Sequence, residues 1–165
     1  MKKRRKIQSK EIGLDVTLIF ARYFLKTEYL HFGYWKDDLK VDILNLAQAQ
    51  EDYATLLISQ IPDNVKTILD VGCGSGKLAL KLVEMGYQVD CVSPSSLLTD
   101  YARKLLGDKS HIYECYYEDL KNGKEYDLIL FSESFQYIPI ESALENSLKF
   151  LNDKGHILIC DYFRK

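Results

Sequence analysis

The spacing of hydrophobic residues along the chain changes near residue 66. Before that position apolar residues recur every three or four places, which predicts two helices, at 10–27 and near 42–60. After it, short apolar runs alternate with segments of helical spacing. The runs predict five strands, at 67–71, 87–92, 111–116, 126–131 and 156–161. The segments between them predict helices at 77–85, 95–106 and 140–151.

Short apolar strands that alternate with helices are typical of a parallel sheet covered on both faces. We therefore predict an α/β fold, a Rossmann-like, doubly wound and mostly parallel sheet preceded by two helices. The 165 residues suit one domain. We expect a basic, disordered segment at 1–9 and a single domain at 10–165, divided into a helical lid at 10–62 and a core at 63–165.

Charge is distributed unevenly along the chain. Positions 2–6 hold five of the 22 basic residues, and the remainder carries 17 basic against 24 acidic residues. The chain outside positions 2–6 is therefore acidic, which disfavours binding to nucleic acid. The basic start could contact RNA or an anionic lipid surface, although a solvated terminus is the simpler interpretation. No apolar run approaches the roughly 20 residues of a membrane span, and no secretory signal follows the basic start.

The cysteines and histidines suggest neither a disulfide framework nor a metal centre. The four cysteines form no C-x-x-C pair, and the three histidines are widely spaced. Cysteines of this kind suit small buried side chains in a reducing compartment, so we expect a cytoplasmic protein without a metal.

A glycine-rich segment, Gly72-Cys73-Gly74-Ser75-Gly76, follows the first predicted strand directly. In a doubly wound sheet, ligands bind at this point, beyond the carboxyl end of the strand. Lys77 stands where a dinucleotide fingerprint needs Gly or Ala, and Leu78 stands where a P-loop needs a hydroxyl. Nicotinamide dinucleotides and nucleoside triphosphates are therefore disfavoured, and a purely structural turn remains the alternative.

The segment Ile68-Leu69-Asp70-Val71-Gly72-Cys73-Gly74-Ser75-Gly76 resembles the first motif of the class I S-adenosylmethionine-dependent methyltransferases, and the resemblance extends over roughly 29–161. It implies S-adenosyl-L-methionine as cofactor. It also implies that Gly72, Cys73, Gly74 and Gly76 surround the methionine part, and that Asp70 helps to hold its amino group.

The same resemblance implies cofactor contacts on three further strands. Where the family usually has an acidic ribose ligand this chain has Ser93, with the mid-strand Asp90 as a competing candidate. Further contacts are expected from Pro94 with the adenine, from Glu118 with the adenine amino group, and from Phe131 and Ser132 as the wall between cofactor and substrate.

The segment Leu30-His31-Phe32-Gly33-Tyr34-Trp35 resembles a lid motif of small-molecule and lipid methyltransferases, in which the tyrosine, here Tyr34, reaches the cofactor. The lid also resembles that of cyclopropane fatty acid synthases. That subgroup has a glutamate and a histidine where this chain has Gln136 and Tyr137, so plain methyl transfer is favoured over cyclopropanation.

These features imply a methyltransferase acting on a small or lipid-like acceptor. If the acceptor must lose a proton, Glu133, His31 and Tyr137 are the candidate bases, in that order. A non-catalytic module that binds the cofactor and works through a partner is the alternative.

The family sheet normally has seven strands, and this sequence ends after the fifth predicted strand. We expect the last two strands to be missing and the edge at Ile157-Leu158-Ile159 to be covered by a second subunit or a partner.

Overall fold

The computed structural model describes residues 9–162. The basic segment predicted to be disordered lies outside the described residues, apart from Ser9, which begins the first helix.

Five strands and five α-helices form the described part of the chain. The helices are α1 (Ser9–Phe20), α2 (Leu46–Ile58), α3 (Lys77–Glu84), α4 (Ser96–Leu106) and α5 (Ile140–Phe150). The strands are β1 (Thr67–Val71), β2 (Gln88–Val92), β3 (Ile112–Tyr113), β4 (Tyr126–Ser132) and β5 (Leu151–Cys160). A π-helical turn, Ala21–Leu25, extends α1, and a 3-10 turn, Ile43–Asn45, precedes α2.

The strands lie in the order β3-β2-β1-β4-β5 and every neighbouring pair is parallel. This arrangement confirms the predicted doubly wound α/β fold. Because the order reverses between β1 and β4, the carboxyl ends of these strands border the crevice where such folds bind ligands.

Alternate residues of β1 enter two separate cores. Ile68 belongs to the core that α2, α3 and α4 cover, whereas Leu69 and Val71 belong to the core that α5 covers. All three side chains are almost fully buried, and burial of such a side chain contributes about 1.5–3 kcal/mol. The alternation leaves Asp70 on the same face as Ile68.

Two strands differ from their predicted bounds. β5 begins at Leu151, five residues before its predicted start. The polar segment 152–155, whose composition is typical of a turn, lies within the strand and forms an irregularity in the β4–β5 ladder. β3 has only two residues, not the predicted six, and pairs with β2 alone.

One edge of the sheet is formed by β5, which pairs with β4. Within residues 9–162 no further strand lies beside it. None of the helices between Ser9 and Tyr162 has the length and apolar composition that crossing a bilayer requires. The four cysteines are present as free thiols.

Candidate cofactor site

The glycine turn connects β1 to α3 with three residues in the left-handed region. Gly72, Gly74 and Gly76 have φ of +79°, +55° and +83°, values that L-residues with a side chain rarely adopt. The amide of Gly72 donates to the carbonyl of Val92 at 2.8 Å, which ties the turn to the end of β2.

The three glycines have different surroundings. A Cβ on Gly72 would lie 2.5 Å from Cβ of Ser134, and one on Gly76 would lie 3.0 Å from Cβ of Ala102 in α4. A Cβ on Gly74 would meet only Leu30 Cδ1, at 3.7 Å. Close packing therefore explains Gly72 and Gly76, whereas Gly74 borders open space in which a ligand could approach the backbone.

Ser134 is a site residue that the sequence did not reveal. Its hydroxyl donates to the carbonyl of Val71, and its Cβ packs on Gly72. Glu133 adopts a left-handed φ of +50°, which is uncommon for a residue with a side chain. The segment after β4 thus supports the glycine turn through one serine, and no spacing rule marks that residue.

Asp70 is buried at the end of β1, and its Oδ2 atom has no hydrogen-bond partner among the described residues. Burial raises the pKa of this carboxyl from 3.8 to about 7. An isolated buried carboxylate is costly unless a cation or donor joins it. Its position beside the glycine turn therefore fits a ligand that brings a positive charge or an N–H group.

The ends of β2 and β3 carry the residues predicted at the ribose and the adenine. Ser93 is buried at the end of β2, and its hydroxyl accepts a long 3.4 Å bond from the amide of Ser95. Pro94 and Glu118 are exposed on the loops that follow β2 and β3. Asp90 instead lies mid-strand, where it accepts from Lys124 Nζ and the Tyr126 hydroxyl at 2.6 and 2.7 Å.

Phe131 and Ser132 end β4 on opposite faces of the sheet. The Phe131 ring is fully buried in the α5-side core, so only its backbone faces the carboxyl edge of the sheet. The Ser132 hydroxyl donates to the Tyr53 hydroxyl at 3.2 Å, and that hydroxyl donates to the carbonyl of Cys160 at 2.9 Å. Tyr53 therefore links α2 to the ends of β4 and β5.

Residues 27–34, which we call the strap, lie against the glycine turn and α2. Gln50 in α2 donates from Nε2 to the carbonyls of Tyr29 and His31 and accepts from the Thr27 hydroxyl at 2.6 Å. The Ser75 hydroxyl donates to the carbonyl of Glu28. Sequence reasoning missed Gln50, because a single glutamine within a helix carries no recognisable signal.

The far end of the strap is held by Glu133. Both carboxylate oxygens of Glu133 accept from the amide of Phe32 at 3.3 Å. Burial raises the pKa of Glu133, an effect that the Phe32 amide opposes and Asp161 reinforces. The strap is thus fixed at three places, by α2, by the glycine turn and by the segment after β4.

The other two candidate bases have contrasting environments. His31 lies between the rings of Tyr29 and Tyr53, with centroids 4.9 and 4.2 Å away, and neither ring nitrogen has a partner in the described structure. Burial lowers the pKa of His31 to about 4, with Glu51 opposing the change, so the ring is neutral at pH 7. Tyr137 is 70% exposed, and its pKa is raised by partial desolvation and by the nearby Tyr162, Asp161 and Glu133.

Among the described residues, no hydrogen bond connects Tyr34 to the glycine turn. Its amide donates to the carbonyl of Ala49 at 2.7 Å, and its side chain is exposed. Gly33 packs so closely on Ala49 that a Cβ would lie 2.8 Å from it. The contact predicted between Tyr34 and the cofactor therefore stays a prediction.

A polar cleft of about 400 Å³ opens on the outer side of the strap, between α2 and the start of α3. Its charged residues include ion pairs, such as Arg22 with Glu28 at 3.0 Å. None of the residues predicted at the cofactor lines it.

Residues 46–165 match the family described as "Methyltransferase domain", so the chain belongs to this family, and the resemblance seen in the sequence is confirmed. The chain is 32% identical over 118 residues to malonyl-[acyl-carrier protein] O-methyltransferase 1 of Ilyobacter polytropus, covering 67% of this chain and 44% of that protein. It is 25% identical over 141 residues to the ubiquinone biosynthesis O-methyltransferase of Rickettsia bellii, covering 81% and 59%. The chain thus spans about half the length of these curated relatives.

Solved structures share the fold at lower identity. Geranyl diphosphate C-methyltransferase from Streptomyces coelicolor superposes with a TM-score of 0.72 at 16% identity, covering 93% of this chain and 66% of that one. The O-methyltransferase segment of StiE superposes with a TM-score of 0.68 at 18% identity, covering 89% and 58%.

Proposed function

We propose that this chain binds S-adenosyl-L-methionine at the glycine turn and transfers its methyl group to a small or lipid-like acceptor. The observation that carries the proposal is the buried Oδ2 of Asp70, which has no hydrogen-bond partner in residues 9–162 and lies beside a turn of three left-handed glycines. Two of the relatives' names support a lipid-like acceptor, because one is named for ubiquinone biosynthesis and another for geranyl diphosphate. A third is named for malonyl-[acyl-carrier protein], in which a small acyl group is carried on a protein.

The cofactor, when bound, supplies an electrophilic methyl group on a sulfonium. We assign its binding to residues at the carboxyl ends of β1, β2, β3 and β4 and to the strap: Asp70, Gly72, Cys73, Gly74, Gly76, Ser93, Pro94, Glu118, the backbones of Phe131 and Ser132, and Tyr34. In this assignment Asp70 accepts from the cofactor's amino group, and that contact gives its isolated carboxylate a partner.

The chain's own contribution to the reaction is to hold the reactants in line and to exclude water. The strap suits this task because it lies against the glycine turn, with Leu30 nearest to Gly74. We assign Glu133 the role of holding the strap closed. Its raised pKa also keeps it the first candidate base for an acceptor that must lose a proton.

The roles of the other two candidate bases are weaker in this geometry. The lowered pKa of His31 makes it a poor proton acceptor, and its stacking on Tyr29 and Tyr53 suits packing of the strap. Tyr137 is protonated at neutral pH, since the ordinary pKa of a tyrosine is 10.0 and that of Tyr137 is raised further, so it could donate a hydrogen bond to an acceptor rather than remove a proton.

We propose in addition that a second subunit or a partner covers β5. The outer edge of β5 has no neighbouring strand in the described residues, and an open edge invites pairing. Light scattering after gel filtration tests whether a second subunit or a partner covers β5, and a purified chain that stays monomeric and stable on its own would contradict this proposal.

We also propose a cytoplasmic location for the protein, which its free cysteines support.

Transfer of labelled methyl from S-adenosyl-L-methionine to pooled small-molecule and lipid extracts tests the proposed function. The purified protein should label an extract component, and the Gly74→Asp variant should not. Gly123→Asp is the matched control, because Gly123 also has a positive φ, of +63°, and lies in the loop before β4 with no described atom within 4 Å of an added Cβ. Saturable cofactor binding without any transfer would contradict the enzyme and favour the non-catalytic binding module.

A further inference from the structure

The first helix is apolar on two sides. Leu18 and Ala21 are buried against the domain, and Arg22 lies over the ring of Tyr101 in α4, so one side of the helix is packed. The opposite side carries six apolar side chains that are 41 to 73% exposed: Ile12, Val16, Ile19, Phe20, Tyr23 and Phe24. We call this set the α1 face. A soluble helix normally has charged residues on its outer side.

The α1 face is continuous and rich in aromatic rings. Its members recur at intervals of three and four residues, which places them on one side of the helix. The rings of Phe20 and Phe24 stack with centroids 5.0 Å apart. Contiguous exposed patches of this kind mark sites that bind a membrane or another protein.

The sequence directly before α1 supplies the second observation. Lys2, Lys3, Arg4, Arg5 and Lys6 are five of the 22 basic residues of the chain. The remaining 160 residues are acidic on balance, so an anionic surface would repel most of the protein and attract this end. An apolar helix face next to a basic run is the combination that binds an anionic lipid interface.

A second exposed apolar stripe, on α5, lacks an adjoining basic run. Ile140, Leu144 and Leu148 are also exposed along α5, but no basic run adjoins this helix. This stripe therefore provides a matched control within the same chain.

From these observations we infer that α1 docks on an anionic lipid surface, with the α1 face in the acyl boundary. The strap begins two residues after the π-helical turn that ends at Leu25, so docking would place the covering segment of the site beside the membrane. The inference goes beyond the proposed function and needs no methyl transfer for its test.

Flotation with vesicles of equal parts phosphatidylcholine and phosphatidylglycerol tests the docking. The wild-type protein should float with these vesicles and should remain unbound with phosphatidylcholine alone. Replacing the five basic residues by Gln should weaken binding to the anionic vesicles by about a thousandfold or more, since each contributes about 1 kcal/mol near such a surface and every 1.4 kcal/mol is a factor of ten.

Two double variants separate the α1 face from general hydrophobicity. Val16→Glu with Phe24→Glu should abolish flotation, whereas Ile140→Glu with Leu148→Glu should leave it unchanged, with circular dichroism confirming the fold of both. Equal loss in the two double variants, or no flotation of the wild type, would overturn the inference. So would a dimer that the α1-face variant alone dissociates, because the face would then be an interface between copies.

Discussion

Asp70→Asn should have opposite effects on the stability of the free protein and on cofactor affinity. The buried carboxyl has a pKa of about 7 in the folded protein against 3.8 ordinarily. A raised pKa means that the folded state resists ionisation, so stability falls as the pH rises from about 4 to about 7. Above pH 7 the folded protein bears the full free-energy cost of the ionised, buried Asp70 carboxylate. The substitution removes the charge and therefore this cost.

The size of the stability change follows from the shift in the pKa of Asp70. A change of about three pKa units corresponds to about 4 kcal/mol of lost stability above pH 7. The Asn amide remains buried without a partner, which costs about 1–3 kcal/mol. The variant should therefore be about 1–3 kcal/mol more stable than the wild type near pH 8 and no more stable near pH 4. The lost charged hydrogen bond should weaken cofactor binding about ten- to hundredfold.

Urea unfolding at the two pH values and titration calorimetry with S-adenosyl-L-methionine measure the two effects. Asp90→Asn is the matched control, because Asp90 is bonded to Lys124 and Tyr126. That variant should lose stability and keep its affinity. An Asp70→Asn protein that is less stable than the wild type near pH 8 would refute the claim that the carboxylate is buried at a cost in stability. Unchanged affinity would refute the assignment of Asp70 to the cofactor.

Three further substitutions test the turn and the strap. Gly74→Asp has room for its Cβ but carries the strain of a left-handed φ, a strain that the control Gly123→Asp shares; the Gly74 variant should lose cofactor binding in calorimetry, whereas the Gly123 variant should bind normally. Glu133→Gln should raise the KM for the cofactor severalfold by weakening the hold on Phe32; a fall in kcat of about a hundredfold or more would instead identify a base. Gln50→Leu should cost at least about 2 kcal/mol in urea unfolding and accelerate amide hydrogen exchange in residues 27–34; unchanged exchange there would contradict its role in fixing the strap.

The alternation of apolar runs and helices was enough to predict the sheet, because buried parallel strands must be apolar along their whole length. It could not locate the start of β5, since the polar residues 152–155 lie within the ladder as an irregularity. Nor could it show that β3 pairs over only two residues. Both differences come from tertiary pairing, which overrides the local pattern.

The glycine turn and Asp70 were recognisable because their spacing has a direct backbone reason. Ser134 and Gln50 were not, because each acts through one bond between segments far apart in sequence. The environment of His31 was equally hidden, since the rings of Tyr29 and Tyr53 that contact it come from the strap and from α2.

A co-crystal structure with S-adenosylhomocysteine tests the central claim most directly. The ligand's homocysteine part should lie along Gly72–Gly76, with its amino group within hydrogen-bond distance of Asp70 Oδ2 and its ribose beside Ser93. Ligand density at another place, or an unfilled turn at saturating ligand, would contradict the assignment of this turn to the cofactor.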